Sequence, residues 1–573
     1  MSLSEKVRAA ATGWMADDPD PDTVAELEAL VQSGDEEAVA GRFAGPLRFG
    51  TAGLRGLLGA GESRMNRKVV LRATAGLCTY LLETDPNARE RGLCVAFDGR
   101  RKSRQFADDV ASVALGMGIP VRGFSGVVPT PVLAYACLES NAAAGVMVTA
   151  SHNPPDYNGY KVYWGNGAQI VPPVDAGIAA AIDAVGDVAS IPRGDVDAVT
   201  LFDDAFERRY LDGVRALQIH PGLPRDLRIA YTAMHGVGNR FALAALADAG
   251  FSEVDSVAAQ AEPDGAFPTV AFPNPEEAGA MDLVLALAGE KDADIVFAND
   301  PDADRLAVAV RDGDGYRQLS GNEVGCLLGH YLLDQGPAGD KRLVVNTIVS
   351  SPMLGAIADA HAAKWEPTLT GFKWIANRAM ALEADGDARF VFGYEEALGY
   401  TVGTHVRDKD GVSTAVVVAD MAAWCKSRGG TLLTELEVAW RRYGMYLSRQ
   451  ISQVLPGADG KAQIDGMMQA VRDAAPSEIA GRTVTSFADL ASQSRRLADG
   501  TTEALSFPPG NVLAMDLDGG HRVMLRPSGT EPKLKRYFDV CVSVGEGESV
   551  ADAKARGEGV LEELTAGLLA ITG

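Results

Sequence analysis

The sequence predicts an α/β protein of four domains: three similar α/β domains with mixed sheets and a smaller C-terminal α+β domain, set around a central cleft. Three observations lead there. At 573 residues the chain is too long for one core, and length alone asks for roughly three to five domains. Short apolar runs alternate with amphipathic helical stretches, the pattern of βα units. Four chemistry-bearing segments also stand far apart in the chain, as loops contributed by separate domains to one cleft would.

Residues before about 45 read as acidic helices, with apolar positions at Val24, Leu27, Leu30 and Val31. Residues 93–97, 146–148, 228–231, 295–297 and 342–345 are short apolar runs that read as strands, and 103–117 and 281–288 read as helices. A helical stretch over 201–217, followed by Pro221 and Pro224, links into a second domain. The turn Asp312-Gly313-Asp314-Gly315 closes a hairpin near that domain's end. Residues 441–454 lead into the last domain, where strands over 510–517 and 522–525 pair across Asp518-Gly519-Gly520-His521. The expected domain spans are 1–203, 204–316, 317–443 and 444–573.

Composition narrows the function. Hydrophobic residues at 47% and charged residues at 23% are ordinary for a globular protein. A net charge of −24 argues against a nucleic-acid or anionic-membrane partner, both of which need a basic footprint. An anionic substrate therefore needs a locally basic pocket. The six cysteines are scattered without a CxxC pair, which fits buried thiols in a reducing cytosol. The N-terminus lacks an apolar targeting core, and no apolar run approaches the ~18 residues of a membrane span. The expectation is a soluble, cytoplasmic protein.

The polar loop Thr149-Ala150-Ser151-His152-Asn153-Pro154 follows an apolar run, and Pro154-Pro155 keeps a helix from starting at once. It presents a hydroxyl beside an imidazole at a strand end, where α/β sheets place their ligands. Alone, it reads first as a turn whose serine bonds its own backbone. In Asn299-Asp300-Pro301-Asp302-Ala303-Asp304-Arg305, three carboxylates at spacing two can converge on one hard divalent cation. The loop is not an EF-hand, because its twelfth position is Arg311 instead of Glu. Three protein carboxylates leave positions open for a phosphate oxygen, as a catalytic Mg²⁺ requires. A solvated acidic turn is the alternative, but three such charges repel one another without a cation.

The most basic short patch of the chain is Arg526-Pro527-Ser528-Gly529-Thr530-Glu531-Pro532-Lys533, with Lys535 and Arg536 behind it. Arginine, hydroxyls and exposed backbone N–H groups make a phosphate cradle; a plain surface turn is the other reading. Two weaker segments are Gly371-Phe372-Lys373-Trp374-Ile375 and Gly393-Tyr394-Glu395-Glu396-Ala397-Leu398-Gly399-Tyr400. A carboxylate there can accept from sugar hydroxyls and a lysine can hold an anion, or the same residues only pack and solvate.

With these residues in view, the chain resembles the α-D-phosphohexomutase superfamily of phosphoglucomutases and phosphomannomutases, and within it the phosphoglucomutase-2-like branch. Six segments occur in family order across nearly the whole chain: Gly50-Thr51-Ala52-Gly53-Leu54-Arg55-Gly56 and those at 149–154, 299–305, 371–375, 395–399 and 526–532. The resemblance implies an intramolecular phosphotransferase, an isomerase that interconverts glucose 1-phosphate and 6-phosphate, and the mannose pair, through a phosphoserine and a sugar bisphosphate. Ser151 is then the phosphoserine, and Asp300, Asp302 and Asp304 bind one Mg²⁺ per chain together with its phosphate. Arg305 lies against that phosphate. Arg55, His152 and Lys161 line the reaction centre, and Glu395 reads the sugar. Gly371 and Lys373 belong to a further substrate loop. Arg526, Ser528, Gly529 and Thr530 hold the distal phosphate, extended by Lys535. Glucose 1,6-bisphosphate is the implied activator.

Arginine does not readily lose its proton, so Arg55 reads as electrostatic and Lys161 or His152 as the proton carrier. His235 is either a helper or a structural loop histidine. Ala397 stands where many members of the family carry serine, which removes one hydroxyl contact and leaves the sugar open. A phosphopentomutase or a glucose-1,6-bisphosphate synthase would use the same residues, and a non-catalytic sugar-phosphate-binding protein is the alternative of another class. The expected partner is a small phosphosugar, with no nucleic acid and no membrane, and the chain is expected as a monomer or homodimer.

Overall fold

A computed structural model describes residues 3–51, 53–455, 459–528 and 532–573. The chain forms two compact units: Met1–Leu319 with Ala397–Trp424, and Ser320–Glu396 with Cys425–Gly573. In the first unit, acidic helices Glu5–Ala16, Pro21–Ser33 and Glu36–Gly41 precede the first sheet, and side chains of Asp20 and Asp35 cap the latter two. Among the described residues that sheet has six strands. Their order is Leu54–Leu57, Tyr157–Trp164, Ala144–Val148, Leu93–Phe97, Val121–Gly123 and Thr200–Leu201.

The three strands after Ala144–Val148 run parallel to it in succession, while Tyr157–Trp164 is antiparallel to both of its neighbours, Ala144–Val148 and Leu54–Leu57, so the sheet is mixed. Strands Leu93–Phe97 and Ala144–Val148 are buried at every position, as expected of central strands covered on both faces. Helix Arg67–Thr84, capped by Asn66, and helix Ser103–Gly116 supply Val70, Leu77, Phe106 and Val110 to that core.

The second sheet of this unit orders Gly315–Gln318, Ala307–Asp312, Ile295–Ala298, Ile229–Thr232 and Val254–Ser256. It too is mixed, and the expected Asp-Gly-Asp-Gly hairpin joins edge strand Gly315–Gln318 to its neighbour Ala307–Asp312, with Asp312 opposite Gly315. Segment 397–424 is tied here by local bonds. Leu306 N donates to Leu398 O, Arg305 bridges Gly399, and the buried Tyr210 hydroxyl donates to Asp410.

In the second unit, strands Lys364–Thr368, Arg342–Thr347 and Arg389–Glu395 lie side by side and parallel. Helix Gly321–Asp334 opens with a complete capping box between Ser320 and Glu323. The C-terminal region is an antiparallel sheet ordered Met445–Val454, Lys533–Val542, His521–Pro527, Leu513–Leu517, Arg482–Asp489, Ser494–Leu497 and Thr502–Ala504. Helices Gly460–Asp473 and Val550–Thr572 pack on it. The expected pairing across residues 518–521 is present, with Leu517 opposite His521.

Candidate active site

The serine loop is built from the ends of two neighbouring parallel strands. After Leu93–Phe97 comes Asp98, and after Ala144–Val148 comes Thr149, whose Oγ1 donates to Asp98 Oδ2 at 2.7 Å and accepts from Ser151 N at 2.9 Å. Ser151 adopts φ = +51°, which costs a residue with a Cβ about 1–3 kcal/mol. Arg100 holds that conformation in place. Its guanidinium donates to Ser151 O at 2.6 Å, Asn153 O at 2.5 Å, Pro154 O at 2.9 Å and Tyr157 O at 3.3 Å. Ser151 is itself buried, with its Oγ 3.2 Å from His152 Nδ1. Arg55 Nη1 donates to Asn153 Oδ1 at 2.9 Å, so the first motif joins the same loop.

Strand Ile295–Ala298 delivers the acidic loop. Asn299 closes it by accepting from Tyr231 OH at 2.7 Å and donating Nδ2 to Arg305 O at 2.6 Å, and Ala303 takes φ = +55°. All three carboxylates are buried, and one oxygen from each lies within 4.8 Å of the others. Ser151 Oγ donates to Asp300 Oδ2 at 2.8 Å, which joins positions 149 residues apart. Arg305 N donates to Asp300 Oδ1 at 3.1 Å.

The sequence reading held that three such carboxylates need a cation because they repel. The structure supplies protein cations as well. Lys161 Nζ donates to Asp302 Oδ2 at 2.7 Å and Asp304 Oδ2 at 3.0 Å, and Lys409 Nζ stands 3.3 Å from Asp304 Oδ2. Repulsion alone is therefore not what argues for a metal. The stronger reason is that Asp302 Oδ1 and Asp304 Oδ1 are buried without any hydrogen-bond partner, an arrangement that costs free energy unless a ligand meets them. Hard carboxylate oxygens converging in this way fit a Mg²⁺-type ion.

Burial, and after it the charges of Asp302 and Asp304, push the Asp300 carboxyl well above the usual range. Burial acts the same way on Asp302, but Lys161 and the Thr130 hydroxyl outweigh it and hold that carboxyl low. Burial, then Arg305 and Arg55, keep the His152 imidazolium from forming. Lys161 is affected in the opposite sense: burial disfavours its charge, yet Asp302 and Asp304 hold its pKa above normal.

Several residues of this site escaped the sequence reading. Asp98 and Arg100 hold the serine loop, Thr130 donates to Asp302, and Asp408-Lys409 sits behind Asp304, with Asp408 accepting from Tyr163 OH and Gln169 Nε2. Two patterns could have revealed them: Asp98-Gly99-Arg100 directly after an apolar strand, and Asp408-Lys409-Asp410-Gly411 before an apolar helix. His235 donates its backbone N–H to Gln260 O, and its Nε2 lies 2.8 Å from Thr269 Oγ1, the arrangement of a structural loop histidine.

The second unit gathers the remaining predicted residues. Gly371, at φ = +117°, begins helix Phe372–Ala384 and donates its N–H to Glu395 Oε1 at 2.9 Å, so the two weak segments of the sequence are one constellation. Lys373 lies in the first turn of that helix. Glu396 Oε2 accepts from Ser350 Oγ at 2.9 Å and Thr347 Oγ1 at 3.1 Å. Arg526 is paired with Lys535 across the adjacent strands of the last domain, and Ser528 N donates to Lys533 O at 2.8 Å.

Tyr537 lies within the electrostatic reach of Arg526. Burial, then the charges of Glu396 and Glu395, push the tyrosine up to about 12 against the opposing Arg526, so residues 395–396 and Arg526 share one electrostatic environment. Arg536 does not belong to this patch: strand alternation turns it inward, where it bonds Thr572 and Gln453. Ala397 begins the segment that belongs to the first unit. Gly529 and Thr530 lie outside the described residues.

Comparison with known proteins agrees with this geometry. The chain matches the phosphoglucomutase/phosphomannomutase α/β/α domains I, II and III over residues 46–188, 208–313 and 320–443. It is 43% identical to a Haemophilus influenzae protein described as "Probable phosphomannomutase", over 83% of this chain and 93% of that one. A mouse phosphopentomutase is 35% identical over 93% of this chain and 90% of its own length. Among solved structures, a phosphoglucomutase/phosphomannomutase family protein from Burkholderia thailandensis shares the fold, with a TM-score of 0.66 at 20% identity over 91% of this chain and 97% of that one. The fold is thus three α/β/α domains with mixed sheets plus a C-terminal antiparallel-sheet domain. The chain belongs to the phosphoglucomutase/phosphomannomutase family and is a mutase, an isomerase by reaction class.

Proposed function

We propose that Ser151 carries the transferable phosphoryl group of a mutase that interconverts the 1-phosphate and 6-phosphate of glucose, and of mannose. The observation behind this reading is the 2.8 Å hydrogen bond from Ser151 Oγ to Asp300, in a buried loop that also holds the two partnerless carboxylate oxygens. Asp300, Asp302 and Asp304, with the phosphate on Ser151, would hold one Mg²⁺ per chain. That ion would neutralise charge on the transferring group.

Phospho-Ser151 gives its phosphoryl group to the free hydroxyl of a sugar monophosphate. The O–P bond to serine breaks, the bond to the sugar forms, and the sugar proton leaves to a base. A sugar bisphosphate results; reversed, it returns its other phosphate to Ser151. Glucose 1,6-bisphosphate would therefore act as activator by rephosphorylating a bare serine. His152, which burial keeps neutral beside Ser151, is the base we assign. Lys161 stays a cation between Asp302 and Asp304, and Arg55 and Arg305 offer fixed positive charge.

Glu395, oriented by the Gly371 N–H, would accept from sugar hydroxyls, with Lys373 nearby. Arg526, Ser528, Gly529, Thr530 and Lys535 would clamp the distal phosphate. The domain division 1–203, 204–316, 317–443 and 444–573 assigns one such loop to each domain. The six free cysteines support action in a reducing cytoplasm.

A second reading, phosphopentomutase, is favoured by Ala397, which offers no hydroxyl to a hexose, and by the near full-length mouse relative. Measuring kcat/KM for glucose 1-phosphate, mannose 1-phosphate and ribose 1-phosphate with Mg²⁺ and bisphosphate separates them. Glucose 1-phosphate is expected to rank first. A higher value for ribose 1-phosphate would replace the hexose assignment, accumulation of free bisphosphate would mark a synthase, and no turnover on any of the three would mark a binding protein.

A further inference from the structure

Away from the site above, three donors from two helices of the second unit converge. His330 and Asp334 are four residues apart on helix Gly321–Asp334, so they share one face. His361 caps the C-terminal end of helix Met353–Ala360. One ligand atom from each of the three lies within 4.8 Å of the others. The approach is directional: His330 Nδ1 and His361 Nε2 lie 3.0 and 2.9 Å from the same atom, the Tyr443 hydroxyl oxygen. Asp334 Oδ1 is 3.9 Å from His361 Nε2.

On the far side of the His330 ring, Nε2 stands 3.0 Å from Glu435 Oε1. A carboxylate behind a histidine fixes the tautomer that leaves Nδ1 with its lone pair, the outer-shell arrangement found behind most metal-bound histidines. Both histidines and Glu435 are largely buried, so a bound ion would be shielded from solvent on that side.

We infer that His330, His361 and Asp334 form a second metal site, distinct from the Asp300–Asp302–Asp304 triad and selective for a borderline transition metal of the Zn²⁺ class. Two imidazole nitrogens and one carboxylate are a tetrahedral Zn²⁺ donor set with one position left for a neutral fourth ligand. Tyr443, whose hydroxyl oxygen is within hydrogen-bond distance of both nitrogens, holds them in convergence and stands where that fourth ligand belongs. The opposing charge is Arg442, 3.4 Å from Asp334 Oδ1; its side chain is 46% exposed and can turn into solvent. A second cation, Arg342, is held by the backbone oxygens of Leu333 and His361. Tyr443 ends helix Leu432–Tyr443, so an ion here would tie that helix to helices Gly321–Asp334 and Met353–Ala360, just before strand Met445–Val454 begins.

The test is Co²⁺ and Zn²⁺ titration of the full-length, EDTA-stripped protein in excess Mg²⁺, which saturates the oxygen-only triad. One equivalent of Co²⁺ should bind with the visible d–d bands of a four-coordinate nitrogen–oxygen site, and Zn²⁺ should displace it. His361→Ala and Asp334→Asn should each abolish those bands while Mg²⁺-supported mutase activity is kept, and Glu435→Gln should weaken binding about 10–100-fold. Should His361→Ala fail to fold, Asp334→Asn and Glu435→Gln carry the test. Absence of a four-coordinate Co²⁺ spectrum in the wild-type protein, or bands that persist unchanged in these variants, overturns the inference.

Discussion

Ser151 shows how a single residue is held in a conformation that its side chain resists. At φ = +51° a glycine would be at ease, but only a serine brings the hydroxyl. Ser151→Gly and Ser151→Ala are both expected to lose phosphoenzyme and mutase turnover, read by intact-protein mass and coupled assay. Ser151→Gly should nonetheless be the more stable of the two, by up to about 1 kcal/mol, because glycine relieves the strain. Arg100 makes the complementary case. It touches no reacting atom yet fixes three carbonyl oxygens of the serine loop and that of Tyr157 just beyond it. A displacement of that loop by ~1 Å should cost about 10²-fold. Arg100→Ala is therefore expected to lower kcat by that order while KM for phosphosugar changes little, since the proposed clamps lie in other loops. Partial recovery with added guanidinium would separate this positioning role from a general loss of fold.

Between elements, the controlling contact is the pairing of Leu54–Leu57 with Tyr157–Trp164, which sets Arg55 opposite Gly159 and beside the serine loop. That pairing requires Gly53, at φ = +74°, because a Cβ there would fall 1.8 Å from Tyr160 O, inside the partner backbone. Gly53→Ala should destabilise the protein by more than about 1 kcal/mol in urea unfolding and reduce turnover as Arg55 moves. The triad depends on elements in the same way. Strand Ile295–Ala298 brings the carboxylates, the first turn of helix Thr130–Glu139 gives the Thr130 hydroxyl to Asp302, and segment 397–424 supplies Lys409.

For the whole molecule, two units of different content should not unfold as one transition. All three triad carboxylates lie in the first unit. Mg²⁺ at 100 times its Kd should therefore stabilise that unit by about 2.7 kcal/mol, seen as a shift of one calorimetric transition with the other unmoved. Asp302→Asn should remove the shift. The cysteines give a second global check. Five of the six are buried and Cys541 is intermediate, and burial pushes Cys78, Cys326 and Cys425 up to about 12. At most one thiol should react rapidly with a disulfide reagent in the native protein, and all six after unfolding.

Much of this was legible in the sequence because it depends on local chemistry. Apolar runs of three to five residues placed the central strands, the Asp-Gly-Asp-Gly turn placed a hairpin, and residues 149–154 and 299–305 pointed to a serine loop and a carboxylate triad. Strand ends carry such groups whatever surrounds them. Tertiary structure decided what pairing between distant positions alone can decide. It placed Lys161 between two triad carboxylates, turned Arg536 inward away from Arg526, joined Gly371 to Glu395, and gave Asp98, Arg100 and Lys409 their duties. It also put two histidines and an aspartate around the Tyr443 hydroxyl. The sequence determined which chemical groups are present and at which strand ends. Which of them share a proton or a charge was settled by burial and by contacts between positions 24 to 143 residues apart, and no local pattern encodes those.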